Sequence, residues 1–171
     1  MIARKHTGDE NGKTEYECAM VDDDQEEFVT KASFTSAKFP ECGRRKPKGE
    51  HDKPEEESCA EALYHKDKVD PIYFTCPTDT VMIGRKHDGD EKGYTRYTCA
   101  EIYVGEVDEK NKMIVEPGEW DGWDYEYQSD FKCEPPTVMI GRAHKSDENG
   151  PTEYRCGTLY YPIGYKSQVT P

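Results

Sequence analysis

The chain has 171 residues, of which Leu, Ile, Val and Phe supply only 23, and it carries a formal net charge of −13 and a mean hydropathy of −1.05. So little aliphatic matter excludes a large conventional core, and so much negative charge argues against nucleic acid or an anionic lipid surface as a partner. No apolar run approaches the ~20 residues of a spanning helix, so no membrane insertion is expected.

Against disorder stand 12 Tyr and 7 Cys, because crosslinks stabilise chains too poor in aliphatic residues to fold unaided. The first element is "RKHTGDENGKTEYECA" at 4–19, which returns as "RKHDGDEKGYTRYTCA" at 85–100 and as "RAHKSDENGPTEYRCG" at 142–157. Each copy reads as two β-rich runs around an Asp-Glu-(Asn/Lys)-Gly turn, the signature of a hairpin. In the returning run Thr95, Tyr97 and Cys99 share one face by the period of two, which places Tyr97 inward, with Arg96 and Thr98 toward water.

A longer correspondence joins "FTCPTDTVMIGRKH" (74–87) to "FKCEPPTVMIGRAH" (131–144), and "SFTSAKFPECGRRK" (33–46) reads as a worn copy with Ser36 in place of Cys76. The expected organisation is one compact all-β domain of tandem disulfide-stapled hairpin repeats. Four units run from about 1–33, 34–73, 74–130 and 131–171, the second degenerate and the third extended by an aromatic insertion at 117–130. Met1 falls where Met82 and Met139 fall, so the sequence reads as starting within a repeat, with any export signal upstream. The stretch "GYKSQVTP" (164–171) resembles "DFKCEPPTV" (130–138), as though it closes the array or serves a neighbouring molecule.

Cys76 and Cys99 lie 23 apart, as do Cys133 and Cys156, which predicts two equivalent disulfides. Each would stabilise the fold by about 3 kcal/mol on a chain-entropy estimate. No CxxC occurs, so zinc-ribbon and thioredoxin readings find no support. Cys42 and Cys59 form a third expected pair. That leaves Cys18 as a candidate intermolecular thiol, unless it bridges to Cys42 or Cys59. Persistent disulfides imply a secreted, extracellular protein. The alternative is a reduced cytosolic chain with seven unrelated thiols.

The recurring polar residues are candidate ligand-binding groups: His6, Asp9 and Glu10; His87, Asp90 and Glu91; His144, Asp147 and Glu148. The plain account is structural, with Asp capping the turn, Glu pairing with Arg or His, and Tyr filling the core. The sharper account is a polar site per repeat. Carboxylates beside a Gly turn suit Ca²⁺, although the spacing is not that of an EF-hand loop, and a His with two carboxylates suits a transition metal. Hydroxyl-rich sugars suit carboxylates beside an aromatic face. Trp120 and Trp123, the only tryptophans, lie with Tyr125 and Tyr127 in the acidic stretch "PGEWDGWDYEYQSD" (117–130). They either cover a thin core or form an exposed stacking platform.

No nucleophile elbow, zinc-protease motif or phosphate-cradling loop is present, and an enzyme is not expected. The layout of a Cys-bounded loop, a polar turn and a closing aromatic-x-Cys loosely resembles dermatopontin-type extracellular repeats. The Asp-Arg-aromatic signature of that family is absent, so no residue roles are carried across. The leading expectation is a non-catalytic, lectin-like module for glycans. The second is a structural subunit of an extracellular fibre, coat or matrix, self-associating by strand completion or disulfide bonding. A secreted toxin or inhibitor comes third.

Overall fold

The computed structural model describes residues 1–7, 13–17, 27–40, 44–45, 69–88, 93–125, 129–145 and 150–164. The fold is all-β. Its strands in chain order are β1 (Ala3–Thr7), β2 (Lys13–Glu17), β3 (Phe28–Thr35), β4 (Phe39–Pro40), β5 (Arg44–Arg45), β6 (Val69–Asp70) and β7 (Ile72–Thr75). They continue as β8 (Val81–Asp88), β9 (Tyr94–Val104), β10 (Ile114–Trp120), β11 (Asp124–Tyr125), β12 (Asp130–Lys132), β13 (Thr137–His144) and β14 (Pro151–Tyr160). The only helical element among the described residues is a single 3-10 turn, Glu109–Asn111, capped by Asp108. None of the described helices is long and apolar enough to cross a membrane.

Three antiparallel hairpins stand at the places where the sequence repeats: β1 with β2, β8 with β9, and β13 with β14. Corresponding residues share one register, with Arg4 opposite Tyr16, Arg85 opposite Tyr97 and Arg142 opposite Tyr154. The two longer hairpins also carry the same irregularity, between Met82 and Gly84 and between Met139 and Gly141. A bulge at that point bends each strand and shifts its register by one residue.

A short strand lies on the outer edge of two of these hairpins. β12 pairs with β1, setting Phe131 opposite Arg4, and β7 pairs with β13, setting Phe74 opposite Arg142. Beyond each, a cysteine amide continues the ladder: Cys133 donates to the Ile2 carbonyl at 2.9 Å and Cys76 to the Ile140 carbonyl at 2.8 Å. Each cysteine is bridged to the returning strand of a different hairpin from the one whose ladder it extends: Cys76, beside β13, to Cys99 on β9, and Cys133, beside β1, to Cys156 on β14, each across 23 residues. Cys18, Cys42 and Cys59 lie outside the described residues.

The core has two parts. One gathers both disulfides with Phe74, Met82, Tyr97, Met139 and Tyr154. Phe74 stacks on Tyr97 at 4.3 Å between ring centroids and Phe131 on Tyr154 at 4.5 Å, both at 10°. The second part is aliphatic, built from Val81, Ile102, Val104, Met113, Val115, Val138 and Ile140. The expected core of tyrosine and sulfur is therefore only half of what is buried. The few aliphatic residues are concentrated at one end of the two long hairpins, where each fully buried side chain contributes roughly 1.5–3 kcal/mol. As expected, Thr95, Tyr97 and Cys99 are buried on one face of β9, while Arg96 is exposed; Thr98 is half-buried.

The turn glutamates, expected to pair with Arg or His, lie outside the described residues. Arg4 and Arg142 are buried, and each guanidinium donates to a tyrosine of another hairpin. Arg4 Nη1 reaches the Tyr154 hydroxyl at 3.1 Å and Arg142 Nη1 the Tyr97 hydroxyl at 3.2 Å. Arg85 and Arg4 both hydrogen-bond the Tyr16 hydroxyl. Burial pushes that hydroxyl up, but the two positive charges outweigh burial and hold it below the ordinary tyrosine range.

A second departure concerns Ser36. Its hydroxyl accepts from the Tyr97 amide at 2.9 Å while its own amide donates to the Tyr97 carbonyl at 2.9 Å. Asp121 does the same for Tyr154: its carboxylate accepts the Tyr154 amide at 2.6 Å, and its amide donates to the Tyr154 carbonyl at 3.0 Å. Ser36 thus occupies the place of Asp121 and not that of Cys76. By the same token, β3 and β4 lie along β9 as β10 and β11 lie along β14. The stretch at 117–130, expected to be an insertion, has a structural counterpart at 33–40.

Two outcomes follow. Replacing Cys133 and Cys156 together with Ala should lower the unfolding free energy in urea by about 3 kcal/mol. Tyr103 donates to Glu101 Oε2 at 2.7 Å, and this hydrogen bond, with burial, pushes its hydroxyl up to about 12. The neutral phenol is the form that the fold favours, so its contribution is whole below pH ~10 and is lost as pH rises toward the shifted value. Stability measured between those limits should fall with pH, and Tyr103→Phe should reduce the slope.

Candidate functional site

The nine residues expected to form polar sites fare unequally. Asp9, Glu10, Asp90, Glu91, Asp147 and Glu148 lie outside the described residues, so the Ca²⁺ reading of the turns lies there too. The histidines sit in the first strand of each hairpin, with His6 opposite Thr14, His87 opposite Thr95 and His144 opposite Thr152. His87 Nδ1 is 3.1 Å from Thr95 Oγ1, and His144 is buried. A histidine enclosed between strands serves packing first. Among the described residues no group of three or more His, Cys, Asp or Glu is placed to hold a metal ion.

The tryptophans are a different matter. β7 alternates its side chains, so that Phe74 enters the core while Tyr73 points outward. The bulged course of β10 against β14 brings Trp120 beside that exposed ring, with centroids 4.8 Å apart and planes at 77°. Trp123 follows at 6.0 Å and 71° from the same tyrosine. Both are edge-to-face contacts, the arrangement that aromatic quadrupoles favour. Tyr73 is thus the hub of a three-ring cluster on the outer face of the sheet. Neither tryptophan belongs to the two buried clusters, and Trp123 is 39% exposed.

The backbone is shaped to seat these rings. A Cβ on Gly141 would fall 2.8 Å from the Phe74 carbonyl oxygen and 3.1 Å from the Trp120 ring. Only glycine lets β7 and Trp120 approach β13 this closely. Gly122 has φ +98°, a left-handed value that reverses the chain between the two tryptophans.

Charged groups surround the cluster. Lys145 Nζ stands 5.0 Å from the Trp123 ring centroid, and the Arg155 guanidinium stands 5.8 Å from that of Trp120. Arg155 Nε also donates to the Gly118 carbonyl at 2.7 Å, which fixes the strand carrying Trp120. Glu153 is only 7% exposed. Its Oε1 accepts the Gly122 amide at 3.2 Å, and the Tyr73 hydroxyl hydrogen-bonds to the same carboxylate. Burial first, and then the charge of Glu153, raise the Tyr73 hydroxyl above its ordinary range. Asp121 is likewise held above the usual carboxylate range, chiefly by burial, with Glu153 and Asp124 adding to the shift.

Sequence reasoning found both tryptophans but missed Tyr73, Glu153, Lys145 and Arg155. The signal for Glu153 was a break in the repeat, since the corresponding position on β9 is Arg96. The counterparts of Trp120 and Trp123 beside β9 are Thr35 and Lys38, so the aromatic cluster occurs at one of these two places. No family model matches the chain, and neither the curated proteins nor the solved structures contain a match.

Removing the charge at 153 while keeping the shape gives a direct check on this electrostatic arrangement. In Glu153→Gln the Tyr73 hydroxyl should titrate at a lower pH than in the parent protein, followed by NMR of the Tyr73 ring. An unchanged titration would separate the two residues.

Proposed function

We propose that the chain is a secreted, non-catalytic carbohydrate-binding protein built from hairpin repeats, with its glycan site at Tyr73, Trp120 and Trp123. The carrying observation is the three-ring cluster on an outward face, bordered by the buried Glu153 carboxylate. The C–H faces of a pyranose stack on aromatic rings, and its hydroxyls donate to carboxylates and accept from lysine and arginine. Glu153, Asp121, Lys145 and Arg155 supply those partners within one patch. The two disulfides fit an oxidising compartment.

The recurring registers of the three hairpins support the repeat reading, and the Arg–Tyr contacts between hairpins support a ring-like arrangement of them. In this reading only one member of the ring has been elaborated for ligand binding. The others keep the residues that rebuild the fold.

Binding to a glycan array, with and without Ca²⁺, tests the proposal. Trp123→Ala should weaken binding to the best-bound glycan by tenfold or more, equivalent to about 1.4 kcal/mol, while the melting curve stays close to that of the parent. Asp90→Ala and Asp147→Ala report separately on the turns. Absence of binding to every glycan in both conditions would remove the reading.

A further inference from the structure

The turn from β10 to β11 brings three carboxylates to the aromatic cluster. Asp121 and Asp124 flank Gly122 and Trp123, and both are exposed. Glu153 follows Thr152 on β14, and Thr152 stands opposite Asp124 across the ladder. The Glu153 carboxylate holds the Gly122 amide and the Tyr73 hydroxyl, which ties the turn to the ring at the centre of the cluster. Charge from both Glu153 and Asp124 reaches Asp121, so the three act together. Their duties differ. Asp121 serves the fold, because its Oδ1 accepts the Tyr154 amide at 2.6 Å. Asp124 is engaged only locally among the described residues, its Oδ1 accepting the amide of the adjacent Tyr125 at 2.8 Å.

Two cations border the same patch, and both are set against rings. Lys145 Nζ lies 5.0 Å from the Trp123 centroid, and the Arg155 guanidinium lies 5.8 Å from that of Trp120. Arg155 is also held by the Gly118 carbonyl. The faces of these tryptophans thus already accommodate positive charge, as the indole quadrupole favours. Three carboxylates against two cations leave the patch negative, in a chain whose net charge is −13.

Resting on the reading of Tyr73, Trp120 and Trp123 as a glycan site, we propose that its ligand is an amino sugar with a protonated amine, of the glucosamine type, and that Asp124 selects it. The pyranose C–H face stacks on the cluster and the ammonium pairs with the Asp124 carboxylate. A positive group gains here from two sources, the ring quadrupoles and the carboxylate. A uronic or sulfated sugar would bring its charge against the same carboxylates and against the charge of the whole chain. An N-acetylated sugar keeps the stacking and forgoes the charge pairing. Exposed charge pairs and cation–π contacts are each weak, so together they set a preference of about fivefold or more.

Calorimetric titration of the full chain with oligomers of equal length tests this, using glucosamine, N-acetylglucosamine and a uronic acid at low salt and mildly acidic pH, where the amine is protonated. The glucosamine oligomer should bind about fivefold or more tighter than the N-acetylated one, with the uronic acid weakest, and the preference should shrink as salt is added. Asp124→Asn should bring the first two affinities together, with a melting curve close to that of the parent. Equal affinities in the parent, tighter binding of the uronic acid, or a preference that survives Asp124→Asn would overturn the assignment and leave the glycan site standing. Glucosamine binding that persists in Trp123→Ala would overturn it as well, because it would report only attraction to an acidic surface. If none of the three oligomers binds, this proposal falls, and a blank glycan array would take the reading of the site with it.

Discussion

The fold turns on buried arginines, Arg4 and Arg142, each of which donates to a tyrosine hydroxyl of another hairpin. Arg4 to Tyr154, Arg142 to Tyr97 and Arg85 to Tyr16 join different hairpins, and Arg4 also reaches Tyr16 of its own. A charged group cannot be buried without such partners except at a cost of several kcal/mol. The hairpins are thereby committed to one mutual arrangement, because sliding one against another would strand an arginine. The Tyr97 and Tyr154 rings are in turn positioned by stacking, Phe74 on Tyr97 and Phe131 on Tyr154, and by the Ser36 or Asp121 bracket on the tyrosine backbone. Specificity of packing comes from polar geometry here, in a chain with too few aliphatic residues to achieve it by volume alone.

The disulfides act on the other side of the balance. They tie the edge strands carrying Phe74 and Phe131, which pair with β13 and β1, to β9 and β14 of the neighbouring hairpins, on whose tyrosines those rings stack. Their contribution lies mainly in restricting the unfolded chain. The aliphatic cluster around Val81, Val138 and Ile140 then closes the ends of the long hairpins. Sulfur, stacked rings and a small aliphatic patch divide the work.

Much of this was legible in the sequence because repetition supplies an internal alignment. The hairpins at 85–100 and 142–157, both 23-residue bridges and the inward face of β9 follow from spacing and the period of two. The partners of Arg4 and Arg142 were not legible, since nothing local to a hairpin reveals a contact made with another one. The role of Ser36 was misread because its neighbours Phe34 and Thr35 imitate Phe74 and Thr75, while its actual duty, bracketing a tyrosine backbone, is defined across strands. The site was half legible. Two tryptophans advertise themselves by composition, but Tyr73 lies over 40 residues upstream of them and joins only when β7 and β10 flank the same pair of strands, β13 and β14.

The most direct measurement is a double-mutant cycle on Arg142 and Tyr97, using Arg142→Met, Tyr97→Phe and both together, read by equilibrium urea unfolding. If the buried contact fixes the hairpins as described, the two substitutions should couple by about 1.5–3 kcal/mol, the range for hydrogen bonds to charged groups. Effects that simply add, to within about 0.5 kcal/mol, would contradict the account.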